Sequence, residues 1–307
     1  MTHILASGLK VSGLMDRNIE RAKTPSRLGL LLAGGVLALI AAVLAFAFLK
    51  GSPGPAPHRR LSPSAMQAKA AGAPNMPERL KVKVLSTRPH DPGAYTQGLL
   101  LSGGSLFEST GLNGRSSLRE VDPKTGKVRR RIEVPQQYFA EGLALAGPDR
   151  LIQLTWQNGV AFVYNPATFQ KMGELRYNGE GWGLCYDGKR LVMSDGSDLL
   201  LFRDPKTFAP QGQVNVTLAG EPVYQLNELE CVNGAVYANV WETDDILRID
   251  PTTGRVTAVI DASGLLSAQE RAAAEVLNGI AWDPAKKTFL LTGKLWPKMF
   301  EVEIVKR

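Results

Sequence analysis

A chain of 307 residues with 44% hydrophobic residues, three histidines and two cysteines is long enough for one full domain, and poor in the side chains that build zinc sites or histidine-based triads. Its net charge of +7 lies wholly in the first 79 residues, which hold 10 Lys/Arg against 3 Asp/Glu, so residues 80–307 are neutral and offer no basic face for nucleic acid. There is no Gly-rich phosphate loop and no Cys-x-x-Cys, so any chemistry must run on carboxylate, amide, lysine and aromatic groups.

Leu28–Leu49 is a run of 22 residues without a charge, long enough to cross a bilayer of about 30 Å as a helix. Lys10, Arg17, Arg21, Lys23 and Arg27 precede it, against Asp16 and Glu20. This bias keeps residues 1–27 cytoplasmic and predicts export of everything after the helix. A cleaved signal peptide is the rival reading, but its apolar core normally spans only about 7–15 residues. Residues 50–79, rich in Pro, Ala, Gly and Ser, read as a flexible tether.

From residue 80 onward the chain repeats itself. Asp or Asn, then Pro-x-Thr, then Gly or Phe, recurs at 122–126, 165–169, 204–208 and 250–254, with a degraded copy at 283–287. The first four copies lie 43, 39 and 46 residues apart, and each copy follows a short alternating run. A period of about 40–45 residues with short strands and turn residues predicts a β-propeller of one four-stranded sheet per repeat, here five blades. First strands begin near Gln97, Glu141, Trp182, Asn227 and Asn278, and second strands end near Thr110, Trp156, Asp195, Trp241 and Lys294. The fifth repeat has room for only three strands before Arg307, so Lys81–Leu85 is expected to supply the fourth and close the ring. Residues 262–275 read as a helical insertion before the last blade. Cys185 and Cys231 align when counted back from Gly188 and Gly234. Equivalent side chains in neighbouring blades point the same way, which predicts two separate buried thiols.

The turn face repeats, whereas the opposite face does not. Gln97, Glu141, Trp182 and Asn227 at first-strand starts, with Trp156, Asp195, Trp241 and Lys294 at second-strand ends, would converge on the axis as a small-ligand pocket. Each has a plainer reading: a tryptophan in the core, an amide bonded to a loop, a solvated lysine, and Asp195 as a turn residue. Glu141, held between Ala140 and Gly142 at an inner strand start, is the hardest to dismiss. Calcium at the axis would draw on Glu141, Asn227, Asp195 and Asn278, a set that Trp182 and Lys294 fit badly. A non-catalytic binding module tethered to the envelope is the alternative to an enzyme.

The segments His90-Asp-Pro-Gly-Ala-Tyr-Thr-Gln-Gly-Leu99, Phe107-Glu-Ser-Thr-Gly-Leu112, Phe139-Ala-Glu-Gly-Leu143, Gly179-Glu-Gly-Trp-Gly-Leu184, Leu226-Asn-Glu-Leu-Glu230, Ala238-Asn-Val-Trp241, Leu277-Asn-Gly-Ile280 and Leu291-Thr-Gly-Lys-Leu-Trp296 resemble the glutamine cyclotransferase family of plant and bacterial type. They run in order through nearly all of residues 80–307. The resemblance implies a five-bladed propeller that converts an N-terminal glutamine of peptides or proteins into pyroglutamate and releases ammonia, with no metal and no cofactor. It implies catalysis by Glu141 and a substrate pocket of Tyr95, Gln97, Phe139, Trp156, Trp182, Asn227, Trp241 and Lys294. Tyr95 stands where the family often has Phe. With the anchor at residues 28–49, the expectation is a single-pass protein of a bacterial inner membrane, its domain on the periplasmic side.

Overall fold

The computed structural model describes residues 76–307, and the predicted cytoplasmic segment, anchor and nearly all of the tether lie outside them. Among the described residues no helix is long and apolar enough to cross a membrane.

The described residues open with strand β1 (Glu78–Pro89) and then fold into four-stranded antiparallel meanders. The first comprises β2 (Thr96–Ser102), β3 (Ser105–Thr110), β4 (Ser117–Val121) and β5 (Val128–Glu133). The second comprises β6 (Ala140–Leu145), β7 (Leu151–Thr155), β8 (Val160–Tyr164) and β9 (Lys171–Arg176). The third comprises β10 (Leu184–Tyr186), β11 (Leu191–Met193), β12 (Leu199–Arg203) and β13 (Pro210–Asn215), after which β14 (Thr217–Leu218) and β15 (Glu221–Pro222) form a small hairpin. The fourth comprises β16 (Leu226–Val232), β17 (Ala235–Val240), β18 (Asp245–Ile249) and β19 (Val256–Asp261). Helix α1 (Ala268–Ala273) then precedes β20 (Leu277–Asp283), β21 (Thr288–Gly293) and β22 (Lys298–Lys306).

β1 completes the last unit, running antiparallel to β22 from Leu80↔Lys306 to Pro89↔Lys298. Its first residues also pair in parallel with β19, from Glu78↔Ala258 to Lys81↔Asp261, so two units share one eight-stranded sheet. The strand therefore starts at Glu78, inside the last residues read as tether. The innermost strands touch in cyclic order: β2 on β6, β6 on β10, β10 on β16, β16 on β20, and β20 back on β2. Apolar clusters fill the gaps between successive sheets, ending with one in which Leu99 and Leu106 of the first unit meet Leu290 and Met299 of the last. The result is an all-β, propeller-like fold with a nearly closed ring of sheets.

The repeated phrase is a backbone-capping turn. The Asp122 side chain accepts from the amides of Lys124 and Thr125, both at 2.9 Å, and Asn165, Asp204, Asp250 and Asp283 cap their own turns the same way. The fifth residue takes positive φ in every copy, at Gly126 (69°), Phe169 (59°), Phe208 (63°), Gly254 (70°) and Lys287 (58°). A Cβ at Gly126 would collide with the Pro89 carbonyl, and one at Gly254 with the Asn215 carbonyl, so glycine is required at both. Phe169 and Phe208 have room, and each buries its ring against an aromatic neighbour, Phe107 and Tyr177 respectively.

α1 is shorter than the predicted insertion. Ser267 and Glu270 form a reciprocal capping box at its N-terminus. His90 is structural: it is buried, with Nε2 2.9 Å from Glu108 Oε1 and Nδ1 2.8 Å from the Trp296 carbonyl.

The two cysteines are not separate thiols; Cys185 and Cys231 form a disulfide. Counting back from the glycines hid a one-residue offset. The hairpin after β10 has a four-residue loop, Asp187–Arg190, whereas that after β16 has two residues, Asn233 and Gly234. Counted from the equivalent cavity-lining positions Trp182 and Asn227, Cys185 is fourth and Cys231 fifth. Side chains alternate between faces along a strand, so the offset turns the two cysteines towards each other. Both pack in the cluster between the third and fourth units.

Candidate active site

Tyr95, Gln97, Phe139, Glu141, Trp156, Trp182, Asn227, Trp241 and Lys294 line one cavity of about 350 Å³. Gln97 comes from the start of β2 and Glu141 from the start of β6, Tyr95 and Phe139 directly precede those strands, Trp182 lies just before β10, and Asn227 comes from β16. Trp156, Trp241 and Lys294 directly follow β7, β17 and β21. Every four-stranded unit thus delivers at least one side chain to one mouth.

The polar groups form the floor. Gln97 and Asn227 are 3% exposed, Lys294 4% and Glu141 5%, whereas the aromatic rings are half-buried walls. Gln97 Nε2 donates to Glu141 Oε1 at 3.1 Å. Buried Asn278 fixes that amide by donating from Nδ2 to Gln97 Oε1 at 3.1 Å and to the Thr96 carbonyl at 2.9 Å. The Lys294 ammonium stands 5.0 Å from the centre of the Tyr95 ring and has no carboxylate within ion-pair distance among the described residues. The side-chain oxygen of Asn227 is buried without a hydrogen-bond partner among the described residues.

Burial pushes the Glu141 carboxyl well above its ordinary value. The Lys294 charge draws it partly back and the Glu180 charge adds to the rise. Burial also lowers Lys294, against the pull of Glu141 and Glu275. The floor therefore holds a carboxyl group that exchanges its proton in a higher range than a surface glutamate, under the field of one ammonium.

The walls are edge-on aromatic contacts: Tyr95 on Phe139 at 6.1 Å, Phe139 on Trp156 at 5.8 Å, and Trp182 on Trp241 at 5.9 Å between centroids. The chain's other two tryptophans, Trp282 and Trp296, belong to the core between the fourth and last units. Asp195 does not line the cavity. It caps its own turn, accepting from the Ser197 amide at 3.0 Å. Asn278 also stays outside, behind Gln97, so the four residues a calcium ion would need do not converge, and a lysine faces the cavity in their place. Sequence reasoning passed over Glu180, whose carboxylate accepts from the indole nitrogens of both Trp156 and Trp182. The one available signal was an acidic residue inside a Gly-x-Gly loop two positions before a wall tryptophan.

A profile of the glutamine cyclotransferase family matches residues 59–304. The chain belongs to the glutamine cyclotransferase family. It is 44% identical over 230 residues to an Arabidopsis thaliana protein named glutaminyl-peptide cyclotransferase, an alignment covering 73% of this chain and 71% of that protein. It also resembles the crystal structure of Myxococcus xanthus glutaminyl cyclase, with 43% identity and a TM-score of 0.68, covering 75% of this chain and 98% of that one. Family membership turns the cavity from a generic small-ligand pocket into one to be judged against the cyclisation of a glutaminyl residue.

Proposed function

We propose that this protein converts N-terminal glutamine of peptides or proteins into pyroglutamate with release of ammonia, on a five-bladed propeller and without a metal ion. The observation that carries the reading is a buried carboxyl group, bonded to an amide and facing an ammonium, on the floor of an aromatic-walled cavity of about 350 Å³ in a chain of this family. That volume suits a single folded-back glutaminyl side chain.

The substrate's α-amine attacks its own γ-carbonyl carbon, and a new C–N bond closes the five-membered lactam. The bond from that carbon to the amide nitrogen breaks. Glu141, as carboxylate, takes the proton the attacking amine must lose and returns it to the departing nitrogen, which leaves as ammonia. Gln97 orients Glu141 through its 3.1 Å hydrogen bond. Lys294 stabilises the oxyanion that forms on the γ-oxygen. The unpartnered Asn227 oxygen accepts from a substrate N–H. The rings of Phe139, Trp156, Trp182 and Trp241 hold the side chain in its bent, near-cyclic form.

The assay is ammonia and pyroglutamate release from a glutamine-leading dipeptide amide, with and without chelator. Turnover unchanged by chelator is expected. Binding without ammonia release would leave a recognition module instead, and loss of activity to chelator would end the metal-free reading.

Because Glu141 must be ionised to act as base, kcat/KM falls as pH drops through its raised pKa, placing the acid limb above the ordinary glutamate range. Lys294→Met removes the charge that holds this pKa down, so the acid limb moves to higher pH as kcat falls. A limb that stays in place in the pH–rate profile would detach Lys294 from Glu141.

The uncharged run Leu28–Leu49 with its basic flank supports a single-pass anchor in a bacterial inner membrane. The disulfide, a bond that persists in oxidising compartments, supports a periplasmic domain. Protection of the domain from protease in spheroplasts would contradict that orientation.

A further inference from the structure

The aromatic wall is built as two separate arcs. Tyr95, Phe139 and Trp156 contact edge to face in one, and Trp182 and Trp241 in the other. What joins them is a carboxylate. Glu180 Oε2 accepts from Trp156 Nε1 at 2.7 Å and from Trp182 Nε1 at 2.9 Å, while Oε1 accepts from Gln157 Nε2 at 2.8 Å. The loop that carries it is pinned by its own backbone: the Gly181 amide donates to the Trp156 carbonyl at 2.8 Å, and the Trp182 amide to the Ser194 carbonyl at 3.0 Å. Glu180 forms no ion pair among the described residues and does not itself line the cavity. It stands behind the wall, its charge answered by N–H donors from two of the rings that substrate must touch.

We propose that Glu180 is the positioning residue of this site, setting the angle between Trp156 and Trp182 through one shared oxygen and holding a negative charge near Glu141. An indole is a donor only, so a ring with no acceptor behind it is free to turn about its χ angles. A single ionised oxygen shared by two indoles fixes both at once, and charge-assisted bonds of this kind are roughly twice as strong as neutral ones. The same hydrogen bonds hold the Glu180 carboxyl below its ordinary value despite desolvation, so the charge persists where Glu141 titrates. This role rests on the cyclotransferase reading of the cavity, but its first test does not.

The test compares Glu180→Ala and Glu180→Gln with the full-length wild type. Without substrate, Glu180→Ala weakens the near-ultraviolet circular dichroism of the tryptophans, and Glu180→Gln, whose carbonyl still accepts from both indoles, retains most of it. On a glutamine-leading dipeptide amide, Glu180→Ala raises KM by about tenfold, the effect of one lost well-placed contact, with a smaller fall in kcat. Glu180→Gln brings KM back to within about threefold of wild type. Both variants move the acid limb of kcat/KM to lower pH, because each removes the negative charge that raises Glu141. An unchanged spectrum and KM in Glu180→Ala, or an acid limb unmoved in both variants, overturns the proposal. Should Glu180→Ala fail to fold, the pH shift and KM of Glu180→Gln decide it. A wild type that releases no ammonia removes the cyclotransferase reading while leaving the spectroscopic comparison to judge the positioning role.

Discussion

Glu141→Gln is expected to stop ammonia release from a glutaminyl peptide while leaving the fold intact. The substitution preserves the shape of the side chain, and its amide oxygen can still accept from Gln97 Nε2, which now donates to Glu141 Oε1 at 3.1 Å. What it removes is the proton acceptor. An amine attacking a carbonyl must shed a proton, and an amide nitrogen cannot leave without gaining one. General acid–base catalysis is worth about 10²- to 10⁴-fold. One group serving both transfers places the loss at the upper end, about 10⁴-fold in kcat/KM, or about 5 kcal/mol in barrier height. Because the aromatic walls and Asn227 are untouched, KM should change little and nearly all of the loss should lie in kcat. Steady-state kinetics read this directly, with far-ultraviolet circular dichroism as the control for folding. Turnover near that of wild type would remove Glu141 from the chemistry, and with it the mechanism.

The ring was readable because its turns are local. Asp-Pro-x-Thr caps its own backbone within four residues, so each repeat carries its punctuation whatever surrounds it. The missing fourth strand of the last unit was readable by count, although its parallel pairing with Ala258–Asp261 was not, since nothing in Glu78–Lys81 encodes a distant partner. Seven of the nine positions lining the cavity were readable because they break a repeat: a face that needed only structure would have kept similar residues. Tyr95 and Phe139 came from the family resemblance alone, and Asp195, which the same break in the repeat placed with them, stays in its turn. Three features escaped for physical reasons. The disulfide depends on two hairpin loops of different length, and an offset of one residue reverses the direction of a side chain. The burial of Lys294 depends on the rings around it, and lysine alone predicts a solvated group. Glu180 acts on two tryptophans that lie 24 residues before it and 2 after it, and no spacing rule joins them.

Glu228→Ala is expected to be among the most damaging changes away from the cavity. The residues after Gln97, Glu141, Trp182 and Asn278 are all glycine, Gly98, Gly142, Gly183 and Gly279, whereas the one after Asn227 is Glu228. Those glycines let the strands crowd the axis; a Cβ at Gly98 would stand 2.6 Å from the Leu143 amide nitrogen. Glu228 fills the space they leave. It is fully buried, Oε2 accepting from the Ile280 amide at 2.8 Å and Oε1 from the Leu99 amide at 3.2 Å. One side chain of the fourth unit thereby clasps the first and the last across the ring. Alanine would strand two buried backbone N–H groups, each costing about 1–3 kcal/mol when unpaired, for a total of about 2–6 kcal/mol. Burial holds this carboxyl well above its ordinary value, so its folded form favours the proton. A group raised on folding adds stability that is complete below its unfolded value of 4.5 and is lost as pH rises through the folded value. Wild-type stability should therefore carry a component that declines with rising pH, and Glu228→Ala should flatten it as well as lower the whole curve. Urea unfolding of both proteins across the pH range reads the two effects together. A variant as stable as wild type, with the same pH dependence, would mean that the ring closes without this clasp.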